Sequence, residues 1–161
     1  MDYYNIIQNK IVAQENIETL LKNWRSSNLK IVFTNGCFDI LHRGHVEYLA
    51  KAASFGDVMI MGLNSDSSVR SIKGPERPVQ DERTRSLVLA SLQFVSAVTL
   101  FQEDTPYELI KKVQPDFLVK GADYKPEDIV GYDILKAKGG EVKTIELVEG
   151  YSTTGIINKL K

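Results

Sequence analysis

The sequence predicts an α/β protein with a Rossmann-like, doubly wound parallel sheet of about five strands. Short apolar runs alternate with segments whose apolar residues recur at helical spacing, which is typical of a parallel sheet covered by helices on both faces. Loops rich in glycine and polar residues follow several of these runs. In such sheets ligands bind beyond the carboxyl ends of the strands, so we expect one shared pocket at that edge.

The amino-terminal part of the chain holds the first two predicted strands. Residues 1–10 are expected to form a loose lead-in. Apolar residues at helical spacing predict a helix over 14–24, and the apolar run 30–33 predicts the first strand. A second helix is predicted over 46–53 and a second strand over 58–63.

Residues 64–82 are predicted to form a long polar loop, because 64–68 are polar and 69–82 lack apolar periodicity. A loop of this length in a compact domain is usually functional or mobile. The remaining elements follow in order: a helix over 83–92, a strand over 95–101, a helix beginning at Thr105-Pro106, a strand over 116–119, a helical stretch from Lys125 closed by Gly139-Gly140, a strand over 141–145 and a terminal helix over 155–160.

Length and composition indicate one soluble domain over residues 1–161. The chain has 43% hydrophobic and 25% charged residues, which is ordinary for a globular protein. Its formal net charge of −1 argues against a nucleic-acid-binding protein, and no apolar stretch is long enough to span a membrane. The single cysteine is typical of a reducing compartment, and no secretion signal is evident. We therefore expect a cytoplasmic protein that binds neither nucleic acid nor membrane.

The segment 34–45 is the strongest candidate for an active site. It reads Thr-Asn-Gly-Cys-Phe-Asp-Ile-Leu-His-Arg-Gly-His and joins the first predicted strand to the next helix. The only two histidines of the chain, His42 and His45, flank Gly44 at the start of that helix. A helix start offers unpaired N–H groups and the positive end of a dipole, which favour anions. We expect both imidazoles to reach one phosphate group there.

Several common catalytic motifs are absent, and this narrows the chemistry. The chain has no Gly-x-x-x-x-Gly-Lys-Ser/Thr loop, no Gly-x-Gly-x-x-Gly after the first strand and no Gly-x-Ser-x-Gly elbow. Two histidines and one cysteine disfavour a structural zinc site. What remains is a set of cationic and N–H donors: His42, His45, Lys73, Arg77, Arg85, Lys120 and the helix start at Ser152-Thr153-Thr154. Such a set suits transfer of a phosphorus-containing group.

Most of these residues also have a structural interpretation, which the sequence leaves open. The structural interpretations are a solvated basic surface for Lys73, Arg77 and Arg85, an ordinary N-cap for Ser152-Thr153-Thr154, turn or cap positions for Asp39 and Asp123, and a small buried residue for Cys37. The two histidines are favoured as functional because they lie at a glycine-containing helix start directly after a strand.

These segments resemble a known family. The run Gly36-Cys37-Phe38-Asp39-x-x-His42-x-Gly44-His45 resembles the signature of the cytidylyltransferase-like nucleotidyltransferases, and Ser152-Thr153-Thr154 is similar to their second phosphate-binding motif. Four stretches resemble more specifically the adenylyltransferase domain of bacterial ADP-heptose synthesis: Thr34 to Asp39, Asn64-Ser65-Asp66, Lys73-Gly74 with Arg77-Pro78-Val79, and Val119-Lys120-Gly121-x-Asp123-Tyr124-Lys125-Pro126. The resemblance covers nearly the whole chain, from about residue 10 onward.

The resemblance implies a nucleotidyltransferase fold and an enzyme that transfers AMP from ATP onto D-glycero-β-D-manno-heptose 1-phosphate, giving ADP-heptose and pyrophosphate. It implies that ATP brings Mg²⁺ bound mainly to its phosphate oxygens, with Asp39 as the nearest candidate protein ligand. It also implies a homodimer.

The same resemblance implies a role for individual residues. It implies that the catalytic residues are His42, His45, Lys73 and Arg85. It implies that the nucleotide is contacted by Asn35, Gly36, Cys37, Phe38, His42, Gly44, His45, Lys120, Gly121, Asp123, Ser152, Thr153 and Thr154. It implies that the sugar phosphate is contacted by Asp39, Asn64, Asp66, Lys73 and Arg77, with Lys73 on a loop that closes over the substrates.

Two alternatives remain open at this point. One is a CTP-dependent cytidylyltransferase acting on glycerol 3-phosphate or another polyol or sugar phosphate. Relatives of that kind often carry Arg-Thr-Glu-Gly-x-Ser-Thr-Thr, whereas residues 147–154 read Leu-Val-Glu-Gly-Tyr-Ser-Thr-Thr, without the arginine. The other is a non-catalytic nucleotide-binding module, which the intact histidine motif disfavours.

Overall fold

A computed structural model describes all 161 residues, Met1–Lys161. Its strands are β1 (Ile31–Gly36), β2 (Val58–Asn64), β3 (Ala97–Phe101), β4 (Phe117–Gly121) and β5 (Glu141–Ile145). They form one five-stranded sheet in the order β3-β2-β1-β4-β5, and every neighbouring pair is parallel. The predicted Rossmann-like α/β fold is confirmed.

Eight α-helices surround the sheet. They are α1 (Tyr3–Gln8), α2 (Ile17–Ser26), α3 (Arg43–Ala53), α4 (Asp66–Lys73), α5 (Glu82–Ala90), α6 (Tyr107–Val113), α7 (Tyr132–Lys138) and α8 (Thr153–Lys159), and a short 3₁₀ turn covers Pro126–Asp128. None of these helices combines the length and the apolar character needed to cross a lipid bilayer.

The two sides of the sheet bury different side chains, because successive strand residues point to opposite faces. On one side, which we call the α3 face, Val32 packs in a core cluster with Leu49 of α3 and Leu89 of α5. On the other side, the α6 face, Phe33 packs with Ile110 of α6 in a cluster that α2 and α7 complete. Each strand therefore presents alternate side chains to two separate cores.

The strand order places a topological switch at β1. The chain moves outward from β1 to β2 and β3, then returns to the other side of β1 to form β4 and β5. Ligands in open parallel sheets bind outside the carboxyl ends of the strands at such a point. The segment after β1 and the end of β4 are therefore placed together for binding.

Residues 1–10 do not form the loose lead-in that we expected. Tyr3–Gln8 is helical, and the Asp2 side chain caps it by accepting a hydrogen bond from the Asn5 backbone N–H at 3.1 Å. The chain then runs beside β3, where the Val98 N–H donates to the Lys10 carbonyl and the Val12 N–H donates to the Val98 carbonyl, both at 2.8 Å. This edge pairing is a long-range contact, which local sequence pattern does not show.

The predicted loop over 64–82 is also partly wrong, because α4 occupies its first half. The Ser65 hydroxyl caps this helix by accepting a hydrogen bond from the Ser68 N–H at 3.2 Å. The helix buries only Ser68 and Val69, so its apolar periodicity is too weak to detect in the sequence. Only the segment between α4 and α5 is left as a loop.

Candidate active site

The two histidines lie together at the start of α3. His42 is the N-cap residue, and its Nδ1 accepts a hydrogen bond from the His45 backbone N–H at 3.4 Å. The two imidazole rings stack with their centroids 3.8 Å apart and an angle of 19° between the ring planes. The pair lies at a helix N-terminus, where free backbone N–H groups and the helix dipole favour an anion.

Both imidazoles are neutral at pH 7. Burial lowers the pKa of His42, while burial together with the nearby His42 ring lowers the pKa of His45 to about 4. A neutral imidazole has one N–H donor and one acceptor nitrogen. The Nδ1 atom of His45 is buried and makes no hydrogen bond in the structure, and the Ile40 backbone partly opposes the lowering of the pKa of His45. The pair therefore offers hydrogen bonds, and not positive charge, to a bound anion.

Close packing around the pair explains two further residues of the motif. A Cβ atom at Gly44 would lie 3.1 Å from Nδ1 of His42 and 3.1 Å from Cβ of Tyr151, which is too tight for a larger residue to enter without a shift. The ring of Phe38 is buried and meets the ring of His45 edge to face, with centroids 5.1 Å apart. Gly44 and Phe38 thus fix the positions of the histidine rings.

The start of α8 lies against the same loop. Thr153 donates a hydrogen bond from Oγ1 to the Ile40 carbonyl at 3.4 Å, and the ring of Tyr151 lies 6.3 Å from that of His42. The Ser152 hydroxyl accepts from the Gly155 N–H at 2.9 Å, so it acts as the N-cap. The structure therefore brings the two predicted phosphate-binding motifs together. Tyr151 is a neighbour of the histidines that the sequence motifs do not identify.

Lys120 lies at the switch point between β1 and β4. Its ammonium group donates a hydrogen bond to Oδ1 of Asn35, the neighbouring residue near the end of β1. Strand alternation from Phe33 and Leu118 directs both side chains to the α6 face, opposite the helix that carries the histidines. Burial lowers the pKa of Lys120 to about 8. The chain therefore places a partly buried cation at the edge of the sheet where a ligand is expected.

The pKa of Lys120 predicts an alkaline limit to activity. Lys120 carries its charge below pH 8 and loses it above, so kcat/KM is expected to fall as the pH rises through about 8. A Lys120→Arg variant stays charged to much higher pH, since a guanidinium does not deprotonate in proteins. We expect this fall to disappear from its pH profile. Lys51→Arg is the matched control, because Lys51 is exposed. If the wild type, Lys120→Arg and Lys51→Arg all lost activity over the same alkaline pH range, Lys120 would not be the group that titrates.

Asp39, which is predicted to bind metal or sugar phosphate, is held in the structure by other parts of the protein. Its carboxylate is buried and accepts hydrogen bonds from Nε of Arg77 at 2.7 Å, from the Val79 N–H at 2.9 Å and from the Gln80 N–H at 3.0 Å. Burial alone would raise the pKa of Asp39, but these hydrogen bonds lower it. Both oxygens are already used, so Asp39 anchors the loop before α5 to the loop after β1.

The chain offers no ligand set for Mg²⁺ of its own. No three His, Cys, Asp or Glu side chains are grouped so that they could hold a metal ion. Asp39, the one predicted ligand, is occupied by protein donors. Arrival of Mg²⁺ on the phosphate oxygens of a nucleotide therefore stays a prediction.

The structural role of Asp39 gives a testable prediction. Asp39→Asn places an amide N–H next to Arg77 and the backbone N–H groups of Val79 and Gln80, which are themselves donors. We expect a loss of about 1.5–3 kcal/mol in the free energy of unfolding. Urea denaturation measures this loss, with Glu76→Gln as the control because Glu76 is exposed on the same loop. The Mg²⁺ concentration needed for half-maximal activity should not change. If Asp39→Asn kept the wild-type stability but needed a tenfold higher Mg²⁺ concentration, Asp39 would be a metal ligand and this prediction would be contradicted.

Arg85, which the sequence predicts to be catalytic, lies in a buried network of protein contacts, and its catalytic role stays a prediction. Its side chain is 0% exposed. Nη1 donates to the carbonyls of Cys37 and Asn64, both at 2.8 Å. Nε donates to the Gln80 carbonyl at 3.0 Å, and Nη2 pairs with the Asp66 carboxylate at 2.8 Å. Arg85 thus ties together the ends of β1 and β2, the start of α4 and the loop before α5.

The same region holds two residues of the predicted sugar-phosphate site. Asn64 is buried, and its amide donates to the Ser68 hydroxyl at 2.9 Å. The Asp66 carboxylate is paired with Arg85 and is 24% exposed, and its own backbone N–H is bonded to Glu82 at 2.8 Å. Both side chains are bonded to protein groups, and their contact with the sugar phosphate stays a prediction.

Lys73 and Arg77 remain candidates for phosphate contacts. Lys73 is exposed at the end of α4, directly before Gly74. Burial raises the pKa of the Cys37 thiol, and the charge of Lys73 opposes that shift, so Lys73 acts electrostatically on the loop after β1. The raised pKa leaves Cys37 a protonated thiol with no sign of an activated nucleophile. Arg77 uses Nε for Asp39, which leaves its Nη atoms directed away from that pair.

The remaining predicted residues lie after β4. Gly121 ends the strand, and a Cβ atom there would lie 2.7 Å from Oδ1 of Asp123. Asp123 and Thr154 are exposed, so both side chains are accessible to a ligand. The site therefore gathers the ends of β1 and β4 with the starts of α3 and α8.

Comparisons with known proteins agree with this geometry. The Cytidylyltransferase-like family profile matches residues 33–159. Bifunctional protein HldE of Wolinella succinogenes is 51% identical over 154 residues, covering 96% of this chain and 32% of that protein. Bifunctional protein HldE of Nitratiruptor sp. is 54% identical over 147 residues, covering 91% of this chain and 31% of that protein. The chain thus spans about a third of the length of these relatives.

Two solved structures have a similar fold. The lipopolysaccharide core biosynthesis protein from Thermoplasma volcanium is 27% identical with a TM-score of 0.60, and the match covers 77% of this chain and 99% of that one. Pantoate-beta-alanine ligase from Francisella tularensis, complexed with beta-gamma ATP and beta-alanine, is 17% identical with a TM-score of 0.59. That match covers 93% of this chain and 77% of the ligase, and it shows the fold alone.

Proposed function

The chain belongs to the cytidylyltransferase-like family, and from this premise we propose that it transfers AMP from ATP to D-glycero-β-D-manno-heptose 1-phosphate, giving ADP-heptose and pyrophosphate. The observation that carries the proposal is the stacked pair of His42 and His45 at the start of α3. Lys120 lies on the opposite face of the sheet, where it bonds to Asn35 near the end of β1. The relatives named HldE, about 50% identical over nearly the whole chain, support the adenylyltransferase and not the cytidylyltransferase alternative.

The reaction needs positioning more than covalent chemistry. An oxygen of the sugar phosphate attacks the α-phosphorus of ATP, and the bond from that phosphorus to the bridging oxygen of the β-phosphate breaks. The bonding electrons leave with pyrophosphate. The attacking oxygen is already largely deprotonated at neutral pH, because the second pKa of a phosphate monoester is about 6. No general base and no covalent enzyme intermediate are required.

The protein residues supply donors where charge develops. The neutral rings of His42 and His45 each have one N–H, which hydrogen-bonds the phosphate oxygens of ATP at the start of α3. The free backbone N–H groups and the dipole of this 11-residue helix favour the same negative charge. Lys120 contributes a positive charge from the α6 face, where the second substrate enters.

Isotope exchange tests this scheme. With ATP, Mg²⁺ and heptose 1-phosphate, we expect one pyrophosphate for each molecule of ADP-heptose, with the product identified by its mass. Without the sugar phosphate, we expect no exchange of labelled pyrophosphate into ATP, because no adenylyl-enzyme forms. Exchange in the absence of the acceptor would overturn direct transfer, and a product of any other mass would overturn the proposed substrate.

Three further parts of the proposal rest on the family resemblance. The enzyme uses ATP as its Mg²⁺ complex, acts in the cytoplasm and forms a homodimer. Sedimentation analysis of the purified chain measures the oligomeric state. Removal of Mg²⁺ with a chelator, followed by its restoration, measures whether turnover depends on the ion.

A further inference from the structure

A small cavity lies next to Lys120 on the α6 face. Its volume is about 160 Å³. Its lining comes from the loop after β3, from Lys120 and from the segment after β4, and consists of Asp104, Thr105, Pro106, Lys120, Tyr124, Asp128, Ile129 and Val130. None of the predicted sugar-phosphate residues is among these.

We propose that this cavity binds the sugar ring of the acceptor, with the phosphate of the acceptor at Lys120. The inference rests on the proposed function and moves the sugar site away from Asp39, Asn64 and Asp66. Those side chains bond to protein groups in the structure. The cavity beside Lys120 offers the sugar a different pocket, next to a residue at the switch point.

The chemistry of the lining suits a polyhydroxylated ring. Asp104 and Asp128 offer carboxylate oxygens that accept hydrogen bonds from sugar hydroxyls, and Thr105 offers a hydroxyl that both donates and accepts. Asp104 is held in place by a hydrogen bond from the Ser71 hydroxyl at 3.1 Å. The Tyr124 ring adds an apolar surface for the C–H face of a sugar.

The charges of the lining orient the ligand. Lys120 is the only cation in the lining, and it lies at the end nearest β1. Asp104 and Asp128 repel a phosphate group from the rest of the cavity. The phosphate of the acceptor therefore lies at Lys120 and the uncharged ring beyond it.

Size and position also favour the sugar over the nucleotide. Pockets for drug-sized ligands usually have volumes of about 300–1,000 Å³, so a cavity of about 160 Å³ is closer in size to one sugar ring. The cavity opens on the α6 face, whereas His42 and His45 lie on α3 at the other face. Attacking and leaving oxygens lie roughly in line in phosphoryl transfer, so the two substrates should approach from opposite sides.

Two variants test the cavity, both at positions outside the buried core. Asp128→Asn replaces a charged acceptor by a weaker neutral one, Thr105→Val removes a hydroxyl, and we expect each to raise the KM for heptose 1-phosphate by about tenfold or more. The KM for ATP should stay within about twofold, since Thr105 and Asp128 are not among the predicted nucleotide contacts. Glu127→Gln is the matched control, because Glu127 is exposed beside Asp128 but does not line the cavity.

The outcomes separate this inference from the proposed function. A rise in the KM for ATP alone would make the cavity a nucleotide-base pocket and overturn the inference. Unchanged KM values for both substrates would overturn it as well, with the wild type still active. If the wild type shows no turnover with heptose 1-phosphate, the proposed function fails first and the inference falls with it.

Discussion

Replacing His45 with alanine is expected to slow AMP transfer by about 10²–10³-fold, the usual cost of losing one donor to developing charge. The His45 ring stacks on His42 at 3.8 Å, and its Nδ1 makes no hydrogen bond in the structure. With a pKa of about 4, the ring is neutral at pH 7, so its proposed role is that of an N–H donor. Single-turnover measurements at saturating ATP report on the chemical step, and His45→Ala should leave ATP binding much less affected than the rate.

Two variants of His42 separate the loss of a donor from damage to the helix. His42 also caps α3, so His42→Ala removes a cap that is worth about 0.5–2 kcal/mol of stability. Asparagine is a good N-cap residue, so His42→Asn should keep the stability of the wild type and still lose turnover on the scale expected for His45→Ala. If His45→Ala kept the turnover of the wild type, the proposed catalytic role of the histidine pair would be contradicted.

Replacing Arg85 with methionine is expected to destabilise the protein by about 3–5 kcal/mol, the cost of breaking a buried charged network. The variant leaves the carbonyls of Cys37, Asn64 and Gln80 without their donor in a buried region. The Asp66 carboxylate also loses its ion pair. Differential scanning calorimetry should show a fall in the unfolding midpoint of roughly 10 °C or more.

Arg83→Met is the matched control for this experiment. Arg83 is exposed two residues earlier on the same helix, so its loss should change the midpoint very little. If Arg85→Met kept wild-type stability but lost turnover, Arg85 would be a catalytic residue after all. For a structural role, we expect Arg85→Met to lose stability and turnover together. Any remaining activity should then be proportional to the fraction of folded protein.

The parts of the fold that depend on local pattern were predictable from the sequence. Strand β5 was predicted over 141–145, and the structure has the same bounds. The histidine pair was predicted at a helix start, where His42 does cap α3. Helix α8 was predicted after Ser152, and the Ser152 hydroxyl does cap it. Apolar periodicity, glycine breaks and capping residues carry this information because each acts within a few residues.

The parts that depend on distant partners were not predictable. Asp39 is buried because Arg77, 38 positions away, and the loop beyond it supply its hydrogen bonds. Arg85 is buried because Cys37, 48 positions away, supplies one of its acceptors. A charged residue in a sequence shows no sign of such partners, so its default interpretation is an exposed or catalytic group. Helix α1 was missed for a similar reason, since Lys10 and the residues after it pair with β3 only in the folded chain.

Pyrophosphate release tests the central claim most directly. ATP and CTP, each with Mg²⁺, are supplied in turn with heptose 1-phosphate and with glycerol 3-phosphate, and pyrophosphate is measured against time. We predict release only with ATP and heptose 1-phosphate. Release with CTP and glycerol 3-phosphate would keep the chemistry but contradict the assigned substrates. No release in any combination, despite measurable ATP binding, would contradict the claim that this chain is a nucleotidyltransferase.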